Sequence, residues 1–244
     1  MELKQVVKCP EGFSLVELLL GLAISAIIGV SVYNLFWSAM KLDDKMRRVH
    51  DNYMEVLMAD QVMTRDLENA ISLDWRNSYW DAKNFVGQKT EFAFLTQTPV
   101  GIKHVRYYSG LVDWGKVTQR MIGRLTNPSS FETRLKESIP VEFLLRQESS
   151  LSDWLNEVKN NTSIQIVAAG LKKDTFNCHY APFLKDLHTV GAGRIVYTDS
   201  WDKKVLPFAV SCSFVLYDPK KPQAGLMFKR DMFLAPVSNY YNEQ

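Results

Sequence analysis

The sequence predicts an α+β protein in which one long amino-terminal helix, its first half membrane-spanning, packs on antiparallel β-sheets. Two observations carry this prediction. A run of 25 residues from Phe13 to Trp37 holds a single charge, Glu17, and beyond Asp74 the chain breaks into short segments separated by turn residues. The first pattern is typical of a helix that crosses a bilayer, and the second of antiparallel strands with one solvated face.

The composition argues against several classes of function. The 244 residues carry 29 Lys and Arg against 27 Asp and Glu, a formal net charge of +2. A dedicated nucleic-acid binder normally has a basic surplus, so this balance argues against one. Three cysteines without a C-x-x-C pair are too few for a disulfide scaffold and do not form a zinc motif.

The apolar run would form a helix about 37 Å long, which is enough to cross a bilayer core. A secretory signal peptide is disfavoured by the acidic Glu17 and by the length of the run. A plain membrane anchor leaves Glu17 as a cost of about 2.5–3.5 kcal/mol at mid-bilayer, and a buried core helix is rarely so free of charge. The positive-inside rule alone would place the carboxyl-terminal side in the cytoplasm, because four basic residues follow the run: Lys41, Lys45, Arg47 and Arg48.

The junction Glu11-Gly12-Phe13-Ser14-Leu15-Val16-Glu17 is the most specific feature of the chain. It resembles the processing site of type IV prepilins and type II secretion pseudopilins. The resemblance implies that a membrane-embedded prepilin peptidase removes the leader, residues 1–12, by cutting between Gly12 and Phe13, and then methylates the amino group of Phe13. It also implies that Glu17 pairs with the cationic amino terminus of a neighbouring subunit, since a carboxylate in lipid is costly unless paired.

Helical periodicity continues beyond the apolar run, which predicts one unbroken helix from Phe13 to Ile71. The membrane and filament segment is expected at 13–37, and an amphipathic extension at 38–73 is expected to pack its apolar stripe on a globular domain at 74–244. A short coiled coil outside the membrane is the alternative use of this stripe. The stripe consists of Leu42, Met46, Val49, Tyr53, Val56, Met63, Leu67 and Ala70.

Alternating apolar and polar residues predict short strands through the rest of the chain. A short helix is predicted at Ser149–Lys159, with Trp154, Leu155 and Val158 on one face. The predicted strands are Thr90–Gln97, Lys103–Ser109, Leu111–Trp114, Arg120–Arg124, Val141–Leu145, Ser163–Ala168, Gly193–Thr198, Phe208–Tyr217 and Met227–Phe233.

The order of these parts resembles the J-type minor pseudopilin of type II secretion systems. The matching segments are Arg65–Ala70, Thr90–Phe92, His104–Tyr108 and Leu206–Val210. Residues 127–194 have no counterpart and are interpreted as an expansion.

This resemblance implies a structural subunit without catalytic residues or cofactor, at or near the tip of a pseudopilus, that helps to initiate assembly and supports protein export. It implies a single pass through the bacterial inner membrane, with the carboxyl-terminal domain in the periplasm, which is opposite to the orientation that the positive-inside rule alone favours. The expected partners are other minor and major pseudopilins and the prepilin peptidase, with no nucleic acid and no small-molecule substrate. A minor pilin of a type IV pilus or competence system, and a single-pass membrane-anchored binding protein or enzyme, are the alternatives.

Two cysteines, Cys178 and Cys212, remain once the leader with Cys9 is removed. Outside the cytoplasm they could form one disulfide, worth about 2–4 kcal/mol. Two separate buried thiols are the equal alternative, since Cys212 lies in an apolar strand. No metal site is predicted, because the histidines near Cys178 fit no compact ligand spacing.

Overall fold

The computed structural model describes residues 14–75, 82–112, 121, 142–158, 162–182, 196–217 and 225–234. The chain divides into two compact units, Met1–His50 and Asp51–Gln244. A long helix is followed by antiparallel strands, which confirms the predicted α+β, pilin-like architecture. The elements are α1 (Leu15–Glu68), β1 (Phe85–Gln88), β2 (Glu91–Thr98), β3 (Gly101–Gly110), β4 (Glu142–Ser150), α2 (Leu151–Leu155), β5 (Ser163–Leu171), β6 (Asn177–Ala181), β7 (Ala209–Leu216) and β8 (Leu226–Phe233).

The first unit contains the amino-terminal part of α1. Its apolar residues are exposed from Leu15 to Val49, and the helix is long and apolar enough to cross a membrane. At the end of the apolar run the rings of Tyr33 and Trp37 stack with centroids 6.5 Å apart, and the Lys41 ammonium lies 5.4 Å from the Trp37 ring centroid. Amphipathic aromatic rings of this kind favour the membrane–water interface.

The second unit buries the last turns of α1 against the sheet. Ala59, Met63 and Leu67 are fully buried in the main core, whereas Tyr53, near the start of this unit, is more than half exposed. Within this unit the stripe members Met63, Leu67 and Ala70 therefore pack in the core of the domain, and Tyr53 does not. Helical periodicity marks an apolar face but carries no information about which turns have a partner.

The strands β1 to β5 form an antiparallel meander, and β7 lies between β6 and β8. A single residue pair, Leu171 with Leu216, joins β5 to β7. The described part of 127–194, the segment interpreted as an expansion, supplies β4, β5 and β6, and β4 and β5 are inner strands of this sheet.

Most predicted strands are confirmed within a few residues, as β2, β3, β5, β7 and β8. The described part of the predicted strand Val141–Leu145 is the start of a longer strand, β4. This strand includes the first residues of the predicted helix, of which only the short α2 remains. Residues 111 and 112 are not in a strand, and the rest of Leu111–Trp114 lies outside the described residues. Of Arg120–Arg124 only Met121 is described, and it is helical. The first half of Gly193–Thr198 is outside the described residues, and its second half forms only an isolated bridge at Thr198. The strands β1 and β6 were not predicted, because four and five residues are too few to establish a period.

The strands β1 and β6 approach each other closely at Gly87. Gly87 and Trp201 exchange two backbone hydrogen bonds of 2.8 Å, and the Tyr180 ring covers Gly87. The Tyr180 hydroxyl donates to the carbonyl oxygens of Gln88 and Glu91 at 2.7 and 3.1 Å. A Cβ on residue 87 would lie 2.4 Å from Tyr180 Cζ, so only glycine fits beneath this ring.

We predict that Gly87→Ala lowers the free energy of unfolding by about 1–3 kcal/mol, because the added methyl group forces the Tyr180 ring from its position. Gly110→Ala is the matched control in another strand, since its Cβ would meet nothing closer than 3.6 Å. Urea unfolding of the detergent-solubilised full chain measures both changes. Equal losses at the two glycines would contradict the proposed close packing.

Candidate functional site

The predicted assembly residues lie at the start of the chain. Gly12 and Phe13 are outside the described residues, whereas Glu17 occupies the first turn of α1. The Glu17 amide donates to Ser14 Oγ at 3.3 Å and to the Ser14 carbonyl oxygen at 3.1 Å. Ser14 and Glu17 have the spacing of a capping box, and a carboxylate favours a helix amino terminus. Ser14 was not among the predicted site residues, although this spacing is readable in the sequence.

Five exposed apolar residues follow one face of α1 at alternating steps of four and three. We call them the membrane-proximal stripe: Leu35, Ala39, Leu42, Met46 and Val49. Leu42, Met46 and Val49 lie beyond the apolar run that ends at Trp37, where charged residues are interspersed. Lipid that covers the apolar run leaves these three residues in water. Their spacing is that of the apolar seam of a coiled coil.

A buried charge network anchors the other end of α1 within the second unit. Arg146 Nε donates to Asp66 Oδ2 at 2.5 Å, and the Tyr107 hydroxyl donates to the same oxygen at 2.7 Å. The side chains of Asp66 and Arg146 are each 5% exposed. A second guanidinium nitrogen of Arg146 donates to Glu148 Oε2 at 2.5 Å. The network therefore connects α1 to β3 and β4 with directional bonds.

The surroundings shift the pKa values of three groups in this network: Tyr107, Arg146 and Glu148. Burial, together with the neighbouring Asp66 carboxylate, raises the pKa of the Tyr107 hydroxyl well above its usual value. Burial disfavours the charged form of Arg146, but its anionic neighbours outweigh this and raise its pKa. For Glu148, burial alone would raise the pKa, yet the hydrogen bond from Arg146 lowers it overall. Tyr107 is therefore a neutral donor near neutral pH, and Arg146 and Glu148 are charged there.

The structure brings together the two predicted cysteines. Cys178 and Cys212 face each other across β6 and β7, both fully buried, with their sulfur atoms 3.2 Å apart as free thiols. Nearby, His179 Nδ1 lies 2.8 Å from Asp199 Oδ1 at the surface. Within the described ranges no group of three or more His, Cys, Asp or Glu side chains is placed to hold a metal ion.

We predict that Asp66→Ala lowers the free energy of unfolding by about 3–5 kcal/mol, because Arg146 is left buried without its main counter-charge. Asp60→Ala is the control on the same helix: Asp60 pairs at 3.4 Å with Arg230, which is more than half exposed, so a loss of about 1 kcal/mol or less is expected. Urea unfolding of the full chain distinguishes the two. Similar losses of unfolding free energy in the two variants would show that the buried ion pair stabilises the domain no more than the exposed one.

The family model for the prokaryotic N-terminal methylation motif matches residues 8–33. No curated protein and no solved structure matches the chain. The matched range contains Gly12, Phe13 and Glu17, and it includes the beginning of α1. This motif, which leads into a long apolar helix and an antiparallel sheet, supports a prepilin-type protein.

Proposed function

We propose that this chain is a minor pseudopilin of a type II secretion system, a structural subunit at or near the pseudopilus tip that helps to initiate assembly and supports protein export. The observation that carries the proposal is the methylation motif at 8–33, which continues directly into the exposed apolar helix. The motif implies processing by the prepilin peptidase and assembly with other pilins. The chain then acts as a part of a filament rather than as an enzyme.

In this proposal the segment 13–37 lies in the bacterial inner membrane and the sheet domain lies in the periplasm. Processing removes residues 1–12 and exposes a methylated amino group on Phe13. Glu17 then meets the amino terminus of the adjacent subunit within the membrane. Buried ion pairs are better attested as devices that set register than as sources of stability, so Glu17 would align one subunit with the next.

The contacts of the sheet domain support the J-type identity beyond the motif. Asp66, in the segment Arg65–Ala70, accepts a hydrogen bond from Tyr107, in the segment His104–Tyr108. Phe92, from a third J-like segment, stacks on Tyr107 with ring centroids 5.1 Å apart. Short segments that resemble one family separately thus meet in one network, as expected if they belong to a common domain core.

The membrane-proximal stripe supports a parallel helix of another prepilin-type subunit as the partner. Both helices would enter the same membrane by their amino-terminal ends, which makes them parallel. The stripe begins inside the apolar run with Leu35 and continues past its end to Val49. One continuous helix contact could therefore extend from the membrane into the aqueous phase. Full burial of a Leu, Met or Val side chain of this stripe would contribute about 1.5–3 kcal/mol to the free energy of association.

Processing is tested by the mass of the protein extracted from membranes. A mature chain that begins at Phe13 and carries one added methyl group is expected. Gly12→Val should retain the leader, because the side chain shields the scissile backbone, whereas Gly21→Val should be processed normally, since a Cβ there meets no other atom within 4 Å. A chain that begins at Met1 or near Ala26 contradicts the proposal.

Assembly is tested by co-purification of other subunits with the full chain. Met46→Lys places a charge in the seam and should reduce recovery of the partner about 10–100-fold, which corresponds to about 1.4–2.8 kcal/mol. Asp44→Lys changes charge on the opposite face of the helix and should leave recovery unchanged. Glu17→Ala should also impair assembly while the protein remains in the membrane.

The identity of the recovered partners separates the remaining functions. Subunits of a secretion system support the proposal, whereas subunits of a type IV pilus or competence system would assign the chain to that filament. Normal assembly and export by Glu17→Ala would favour an ordinary membrane-anchored protein instead.

A further inference from the structure

Beyond assembly, we propose that Cys178 and Cys212 form an intramolecular disulfide that joins β6 to β7 in the domain core. The inference rests on the strand register, the direction of the backbone hydrogen bonds and the contact between the two sulfur atoms. Neither the methylation motif nor the proposed place in a filament requires such a bond. The intact mass of the protein reports the state of the cysteines and the processing of the leader independently.

The strand register places the two cysteines directly opposite each other. The Cys178 amide donates to the Lys89 carbonyl at 2.7 Å, and the Tyr180 amide donates to the Thr198 carbonyl at 2.8 Å. Because these amides point away from β7, Cys178 and Cys212 form a non-hydrogen-bonded pair. In such a pair the Cα atoms are about 4.5 Å apart and the side chains are closest, which is within the span of about 4.4–6.8 Å that a disulfide bridges.

The side chains already meet on one face of the β6–β7 pair. Their Sγ atoms are 3.2 Å apart, so bond formation requires an approach of about 1 Å, which small χ1 rotations supply. Both side chains are fully buried in the main core, between apolar neighbours. No strand has to move for the bond to form.

Burial also determines when the bond can form. It raises the pKa of the Cys178 thiol well above its usual value, so the folded thiol stays protonated and is a poor nucleophile. Oxidation therefore occurs during folding, before the core closes. One cysteine thiolate attacks a disulfide oxidant and releases one of its thiols, and the second cysteine then displaces the other. The cysteine pair loses two electrons and two protons, and the oxidant disulfide becomes two thiols.

The third cysteine lies outside this pair. Cys9 belongs to the leader, residues 1–12, so the proposed processing leaves an even number of cysteines in the mature chain. The bond would close a loop from residue 178 to residue 212. For a chain of this size we expect the melting temperature to rise by roughly 4–16 °C.

The test counts free thiols in the full chain isolated from membranes of cells with an intact extracytoplasmic oxidising system. The sample is denatured without reductant in excess N-ethylmaleimide, and the intact mass gives both the first residue and the number of adducts. A processed chain with no adduct supports the disulfide, as does an unprocessed chain with one adduct that peptide analysis locates on Cys9. Two adducts on a processed chain, three on an unprocessed chain, or a disulfide-linked dimer overturn it.

A second measurement tests the consequence for stability. The full chain is refolded either with oxidised glutathione or with a reductant, and the wild-type protein should melt roughly 4–16 °C higher after oxidation. The variant with Cys178→Ala and Cys212→Ala should melt at one temperature in both conditions. Equal melting of the two wild-type samples would contradict the stabilising bond. If the variant does not fold, the wild-type comparison and the thiol count still decide the question.

Discussion

The buried pair of Asp66 and Arg146 is the interaction on which the arrangement of the sheet domain depends. An apolar helix face can rotate or slide on an apolar sheet with little change in buried area, because the hydrophobic effect is not directional. An ion pair with 5% exposed side chains and a shared hydrogen bond from Tyr107 tolerates no such shift, since a displaced partner would remain charged and buried. The pair thereby sets which face of the last turns of α1 meets β3 and β4.

A second constraint arises from the apolar surface that the chain leaves uncovered. The residues of α1 from Leu15 to Val49 are exposed, which is far more contiguous apolar surface than a soluble monomer usually presents. Lipid can cover the apolar run, and in the proposed function a helix of another subunit covers the outer part of the membrane-proximal stripe. The same helix would then be a membrane anchor in its first part and a subunit interface further along.

The short strand β6 shows how tertiary contacts maintain an element with little intrinsic preference. Its five residues are held on one side by the approach of Tyr180 to Gly87 and on the other by pairing with β7, where the two thiols meet. A covalent bond at this position would reinforce the strand that has the weakest local signal. The same strand register packs β6 against β7 and brings the two thiols together, because side chains are closest in a non-hydrogen-bonded pair.

Local patterns in the sequence determined the long helix, the processing motif with Gly12, Phe13 and Glu17, and the strands with clear alternation. These features depend on neighbouring residues, so periodicity and spacing are sufficient to predict them. Only the tertiary structure decided that the apolar stripe is buried in its second half, that β1 and β6 form, and that Asp66 meets Arg146 from a strand 80 residues away. Such pairings depend on which distant segments lie together, and the periodicity of apolar residues within one segment does not predict this. The contact between Cys178 and Cys212 belongs to this second group, because the strand register alone sets their distance.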